Sequence, residues 1–203
     1  MTARRRKAER PGEILEAAFE EFSKNGFAAT RLDDIAARAN VTKGTIYVYY
    51  SNKEVLFETM VRELMTPVIA EVEALMAMEA TDAEAVLRAF MKFIYANVAA
   101  DRQCLELMRL LLLESERFPH LSHEHFTQFV NPMQLKLQDC LNELADKGLI
   151  RKAPALSLTD LISGPAVALN VWRLLFPFAG AIDTDEHMEA ALDLFLNGLL
   201  PRD

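Results

Sequence analysis

A short run near the amino terminus, Thr42-Lys43-Gly44-Thr45-Ile46-Tyr47-Val48-Tyr49-Tyr50-Ser51-Asn52-Lys53, concentrates side chains that suit contact with a polyanion. Lys43 and Lys53 can neutralise phosphates. Thr42 and Thr45 can donate to phosphate oxygens or touch a thymine methyl, and the Tyr47 and Tyr49 hydroxyls can reach backbone oxygens. Gly44 has no side chain to hold a helix backbone away from a nucleic-acid surface. Ahead of the run, Arg4, Arg5, Arg6 and Lys7 make a basic arm within reach of a minor groove or flanking phosphates.

The charge distribution agrees with this chemistry even though the total does not. The 203 residues carry a net charge of -8, which on average repels a polyanion. Residues 1–53, however, hold ten Lys/Arg against seven Asp/Glu, and the remainder twelve against twenty-three. A basic head on an acidic body suits a nucleic-acid reader whose other surfaces stay off the phosphates. A solvated basic tail has the same composition, so the elements that carry the run must decide between the two.

Those elements read as helices. Apolar residues recur at helical spacing along nearly the whole chain, no alternating β-branched run is long enough for a strand, and the expected fold is all-α with about nine helices. Ile14, Leu15, Ala18, Phe19 and Phe22 line one face of a first helix that stops at Asn25-Gly26. Thr30-x-x-Asp33 predicts the cap of a short second helix bearing Leu32, Ile35, Ala36 and Ala39. A third helix, from Lys43 to about Tyr49, turns Ile46 inward with Tyr50 and leaves Lys43, Thr45, Tyr47 and Tyr49 outside. Ser51-Asn52-Lys53-Glu54 reads as a capping box that opens a fourth helix at once. Two short helices joined by a tight turn, the second with an outward polar and aromatic face, have the layout of a helix-turn-helix.

At these residues the sequence resembles the TetR family of bacterial transcriptional regulators. The matching residues are Phe22-x-x-x-Gly26-Phe27, then Thr30-x-x-x-Asp34-Ile35-Ala36, then Ala39-x-Val41-Thr42-Lys43-Gly44-Thr45-Ile46-Tyr47-x-Tyr49-Tyr50-x-Asn52-Lys53-Glu54-x-Leu56-Phe57. The resemblance implies that Thr42 to Tyr49 read double-stranded operator DNA while Thr30, Tyr49 and Lys53 hold its backbone. It also implies a homodimer formed through the last two helices. Tyr50 departs from the Phe that members often carry, and its hydroxyl needs the surface or a buried partner. The expected division is a DNA-binding domain over 1–53, with a disordered arm at 1–10, and a ligand-binding and dimerisation domain over 54–203.

Beyond residue 57 periodicity carries the reading. A fourth helix to about Ala77 should kink at Pro67, Thr81-x-x-Glu84 should cap a fifth, a sixth from about Arg102 should close at Pro119, and a seventh should carry Phe126 to Leu144. The last two should span Ser157 to Phe176 and Asp185 to Leu200. Eight of the twelve Phe lie after residue 81, and Phe90, Phe93, Ile94, Met108, Leu112, Phe126, Phe129, Met133 and Trp172 are the candidate lining of a pocket for a small, mostly apolar effector. Asn97, Arg109, Gln134, Asn170 and Arg173 are the polar groups available to orient it. The eighth helix is apolar on more than one side, and Leu161, Pro165, Leu169, Leu192, Phe195, Leu196 and Leu199 are the expected dimer contact.

Other chemistry is poorly supplied. Cys104 and Cys140 make no disulfide framework, no leader follows Met1 and no apolar stretch lacks breakers, so a cytoplasmic protein without a membrane span is expected. His120, His123 and His125 with Glu124 have a spacing that zinc or nickel can use if a loop wraps the ion, but an exposed polar connection is the expected reading and no metal or cofactor is assigned. A Gly-rich phosphate loop, a nucleophile elbow and any Glu-x-x-His are absent from the sequence, which disfavours an enzyme. The alternative to a ligand-responsive repressor is a helical interaction or architectural DNA-binding module without a ligand.

Overall fold

The computed structural model describes residues 3–65, 75, 77, 79, 81–100, 102–152 and 159–199, with side chains except at 3–9 and 199. The side chains of Arg4, Arg5, Arg6, Lys7 and Leu199 and the expected kink at Pro67 lie outside that set. The helices are α1 (Ala3–Ala29), α2 (Leu32–Arg38), α3 (Lys43–Tyr49), α4 (Lys53–Met65), α5 (Ala83–Val98), α6 (Arg102–Glu114), α7 (Pro119–His125), α8 (Asn131–Asp146), α9 (Asp160–Leu175) and α10 (Thr184–Leu199). A π turn, Phe126–Val130, joins α7 to α8, and no strand occurs among the described residues. The backbone of residues 3–10 belongs to α1. Ala, Arg and Lys are strong helix formers and extend α1 backwards past Pro11.

The chain divides into two compact units, Met1–Thr66 with Leu110–Ser122, and Pro67–Arg109 with His123–Asp203. The first unit therefore runs past residue 53. Leu56, Phe57, Met60 and Val61 of α4 are buried where α4 packs on α1, so burial ties α4 to the head. Phe118 joins the same core. Its ring lies 4.9 Å from those of Phe27 and Phe57, which in turn pack on each other and on Phe22 at 5.1–5.7 Å. Aromatic pairs of this kind, three of them edge-to-face, each add about 0.5–1.5 kcal/mol beyond the area they bury. Gly26, at φ 73°, breaks the regular part of α1 and turns the chain so that Phe27 points into this cluster.

Three helix starts lie one residue later than the sequence predicts. Arg31, not Thr30, is the N-cap of α2 and makes no side-chain cap bond; the Asn52 carboxamide, not Ser51, accepts the Val55 N–H at 2.8 Å; Asp82, not Thr81, accepts from Glu84 and Ala85. Asn and Asp cap as well as Ser and Thr, and the slot falls to the residue that leaves the first apolar position facing the core. The expected connection after Pro119 is also helical, because proline at a first helical position lacks an N–H that the helix would not use anyway.

In the second unit α5 is central, packing on α8, α9 and α10. Its Val86, Leu87, Phe90, Met91, Ile94 and Tyr95 repeat at helical spacing and are all buried. Its carboxyl end is sealed by two polar side chains of α9: Asn170 donates to the Val98 carbonyl, and Arg173 donates to Ala99, to the Ile182 carbonyl at 2.9 Å and to the Thr184 hydroxyl at 2.7 Å. Tyr95, its hydroxyl 2.7 Å from His187 Nδ1, has its pKa pushed up to about 12 by burial. Replacing Phe27 by Ala should lower the stability of the first unit by about 3–5 kcal/mol, as expected for a fully buried ring, and urea unfolding of the full chain measures it.

Candidate nucleic-acid interface

The outward face of α3 depends on what holds α3 from behind. Ile46 is buried against the head, and Tyr50 follows it inward with its hydroxyl donating to the Pro11 carbonyl at 3.3 Å. That bond supplies the partner which a phenol in place of phenylalanine requires, and burial raises the Tyr50 pKa. Thr42 caps the helix, its hydroxyl oxygen accepting the Thr45 N–H at 3.2 Å and lying 3.0 Å from the Thr45 hydroxyl. Asn40, at φ 53°, makes the tight turn between α2 and α3 in the left-handed region that asparagine tolerates.

With the inner side fixed, Lys43, Gly44, Tyr47 and Val48 face outward, and Tyr49 is half-buried with its ring 6.4 Å from Tyr50. Nothing inside the fold demands a glycine at 44. A Cβ there would sit 3.7 Å from the Thr42 hydroxyl, an ordinary contact, so the missing side chain serves the outer surface. Lys43 holds Asp33 at 2.9 Å, and that hydrogen bond raises its pKa. Val48 is exposed as well, although the sequence offers it no polar role; only the rotation of α3 about Ile46 reveals it.

Two expected phosphate contacts are internal instead. Thr30 is 2% exposed, and its hydroxyl donates to the Gly26 carbonyl at 2.7 Å with the Glu21 carbonyl at 3.1 Å. Lys53 directs its ammonium at the carbonyls of Phe27 (2.8 Å), Thr30 (2.9 Å) and Ala28 (3.3 Å) and sits 4.5 Å from the centre of the Phe27 ring. An ammonium has three N–H donors, and all three are engaged, so no donor remains for a phosphate. Burial lowers its pKa. Glu114 completes the arrangement by accepting the Phe27 N–H at 3.2 Å, and the Arg117 guanidinium lies 4.4 Å from the centre of the Phe27 ring. The connector between α1 and α2 is thus held from both sides, while Glu21 fixes the far end of α2 by accepting from Arg38 at 2.7 Å and from Asn25 at 3.0 Å.

The candidate pocket residues do not form one group. Phe90 and Ile94 belong to the close-packed core of the second unit, with Phe93 and Met133 partly buried against it. Phe129 is buried, Met108 half-buried and Phe126 exposed. Leu112 is 60% exposed and belongs to the first unit, and Trp172 is 45% exposed on α9. Of the expected dimer residues, Leu161 is exposed, Pro165, Phe195 and Leu196 are intermediate, and Leu169 and Leu192 are buried inside their own chain at 1% exposure. The inner stripe of α9 is Ile162, Ala166, Leu169 and Asn170; its outer stripe is Leu161, Pro165, Ala168, Trp172 and Leu175. Both are apolar, and the sequence cannot say which packs at home. Asn170 and Arg173, expected to orient a ligand, cap α5. His120 pairs with Glu58 at 3.3 Å and His125 is half-buried beside Phe129; among the described residues no group of three His, Cys, Asp or Glu could hold a metal.

A helix presented outward by a tight turn on a basic head defines a helix-turn-helix DNA reader. The family models agree: residues 14–60 match the bacterial regulatory proteins of the tetR family, and residues 84–198 match the AefR-like transcriptional repressor C-terminal domain. The chain belongs to the TetR family of DNA-binding transcriptional repressors. It is similar to the HTH-type transcriptional repressor SCO4008 of Streptomyces coelicolor, 29% identical over 172 residues that make up 81% of this chain and 78% of that protein. Two solved structures share the fold: a protein from Saccharomonospora viridis in complex with choline (TM-score 0.76, 17% identity, 96% of this chain and 100% of that one) and the regulator FadR of Bacillus subtilis in complex with stearoyl-CoA (TM-score 0.67, 21% identity, 92% and 98%). No described helix is long and apolar enough to cross a membrane.

The two lysines should separate by experiment. Lys53→Met leaves three carbonyls without their donor and should lower the first unit's stability by about 1–3 kcal/mol. Lys43→Ala should leave the unfolding midpoint unchanged and reduce the slope of log affinity against log salt by about one on duplex DNA. Urea melts and salt titrations of both variants measure these effects.

Proposed function

We propose that this repressor works as a homodimer in the cytoplasm, places two copies of α3 on a palindromic operator, and is released when a small, mostly apolar effector enters the second unit. The observation that carries this reading is the outer stripe of α9. Leu161, Pro165, Ala168, Trp172 and Leu175 recur at alternating four- and three-residue spacing on the side of α9 away from its own core, and Leu194 of α10 is also exposed. Such a stripe in each of two chains makes a helical seam. A two-fold pair then sets two recognition helices to half-sites about one turn of DNA apart.

The DNA contacts assigned are Lys43, Gly44, Thr45, Tyr47 and Tyr49, with Thr42 as cap and the arm Arg4 to Lys7 on flanking DNA. Thr30 and Lys53 act from within by holding the α1–α2 connector. For the effector, Phe93, Met108 and Met133 are the candidates that are partly buried in the second unit. The fully buried Asn170 Oδ1 accepts no hydrogen bond among the described residues, which supports an effector that brings a donor to an otherwise apolar site. The complexes of the two fold neighbours with choline and stearoyl-CoA support ligand binding in this architecture. Release by a ligand is a coupling between sites, so operator DNA must weaken effector binding by the same factor.

Footprinting on the DNA beside its own gene should show a two-fold site, and affinity for that site should fall steeply with salt. Tyr47→Ala should weaken the complex while sedimentation still finds a dimer. Trp172→Arg should do the reverse, giving folded monomers that bind a full operator poorly. A Trp172→Arg protein that remains dimeric places the seam elsewhere.

A further inference from the structure

Major-groove recognition follows a donor and acceptor code. Guanine is read by a bidentate Arg or Lys, adenine by a bidentate Asn or Gln, and thymine also offers its C5 methyl to apolar contact. Helix α3 consists of Lys43, Gly44, Thr45, Ile46, Tyr47, Val48 and Tyr49, with no Arg, Asn or Gln among them. Lys43, its only cation, is paired with Asp33 at 2.9 Å, and the Thr45 hydroxyl is 3.0 Å from that of Thr42. Ile46 faces the core and Tyr49 is half-buried.

What remains at the surface of the helix is Val48, 74% exposed, with Tyr47 beside it. A single exposed valine on an ordinary surface needs no explanation. This one stands on the outer side of the recognition helix, where the inward contacts are already made by Ile46 and Tyr50, so the fold gains little from it. A valine on a helix holds one strongly preferred χ1, which fixes both methyls in place at small entropic cost. In a major groove the complement of such a fixed apolar group is a thymine methyl.

We infer that Val48 is a specificity-determining residue which reads a thymine C5 methyl in each half-site, so that the sequence preference of α3 rests on a thymine methyl. The inference rests on the operator-binding reading above. It assigns Tyr47 to a supporting contact and Lys43 to the backbone.

The full-length protein is used to select a duplex from a random pool, and each thymidine of the selected half-sites is then replaced symmetrically by deoxyuridine, which removes only the methyl. Fluorescence anisotropy at fixed salt reads the affinity. At one thymidine position per half-site the replacement should weaken binding roughly tenfold, from two lost methyl contacts. With Val48→Ala, whose exposed site and better helix propensity keep the fold intact, the thymidine and deoxyuridine duplexes should bind within about twofold of each other. A selected duplex indifferent to deoxyuridine at every position, or a Val48→Ala protein that keeps the full sensitivity, overturns the assignment while leaving operator binding standing. A protein that selects no duplex overturns the operator-binding reading and this assignment with it.

Discussion

The head of this protein depends on how one short connector is held. Between Gly26 and Thr30 the backbone turns away from the regular part of α1, and the carbonyls of Phe27, Ala28 and Thr30 find their donor in a side chain, partly out of solvent. Lys53 supplies them from the start of α4, Glu114 takes the remaining Phe27 amide, and the Phe27 ring sits among three other phenylalanines. Because α2 begins where the connector ends, this one arrangement sets where α2 lies, and through the Asn40 turn where α3 points. A positive side chain thereby does its work facing inward, in a domain whose positive charge was expected to face out.

That inversion marks what the sequence could and could not disclose. The order of helices, the tight turn, the buried Ile46 and the outward Tyr47 all follow from apolar spacing, which is a property of a helix by itself. Thr30 and Lys53 do not follow from it. Both are polar and both lie beside the reading helix, so residue type alone sends them to the phosphate, and only the return of the chain at Gly26 brings carbonyls within 3 Å of the Lys53 ammonium. Val48 was passed over for another reason: with Ile46 inward the spacing already turns it outward, but an apolar side chain carries no polar chemistry by which residue type would single it out.

The caps make a similar point at smaller scale. Thr-x-x-Asp, Ser-x-x-Glu and Thr-x-x-Glu patterns each lie within one residue of a helix start, yet the start goes to Asn52 and Asp82, which cap as well as Ser and Thr, and to Arg31 with no side-chain cap, because the Thr30 hydroxyl is spent on the Gly26 and Glu21 carbonyls. On α9 two apolar stripes compete, and the side that turns inward is the one carrying Asn170 and Arg173, whose hydrogen bonds reach the end of α5. Leu169 goes inside with them and Trp172 stays out.

The ion pair between Lys43 and Asp33 has a bearing on the phosphate contact proposed for Lys43. A lysine that arrives already neutralised adds little to the long-range pull between protein and phosphate, and gripping a phosphate means abandoning a carboxylate that then faces the same negative field. In the operator-binding reading proposed above, the swap is favoured only where the rest of the surface fits, and two exposed side chains make it easily.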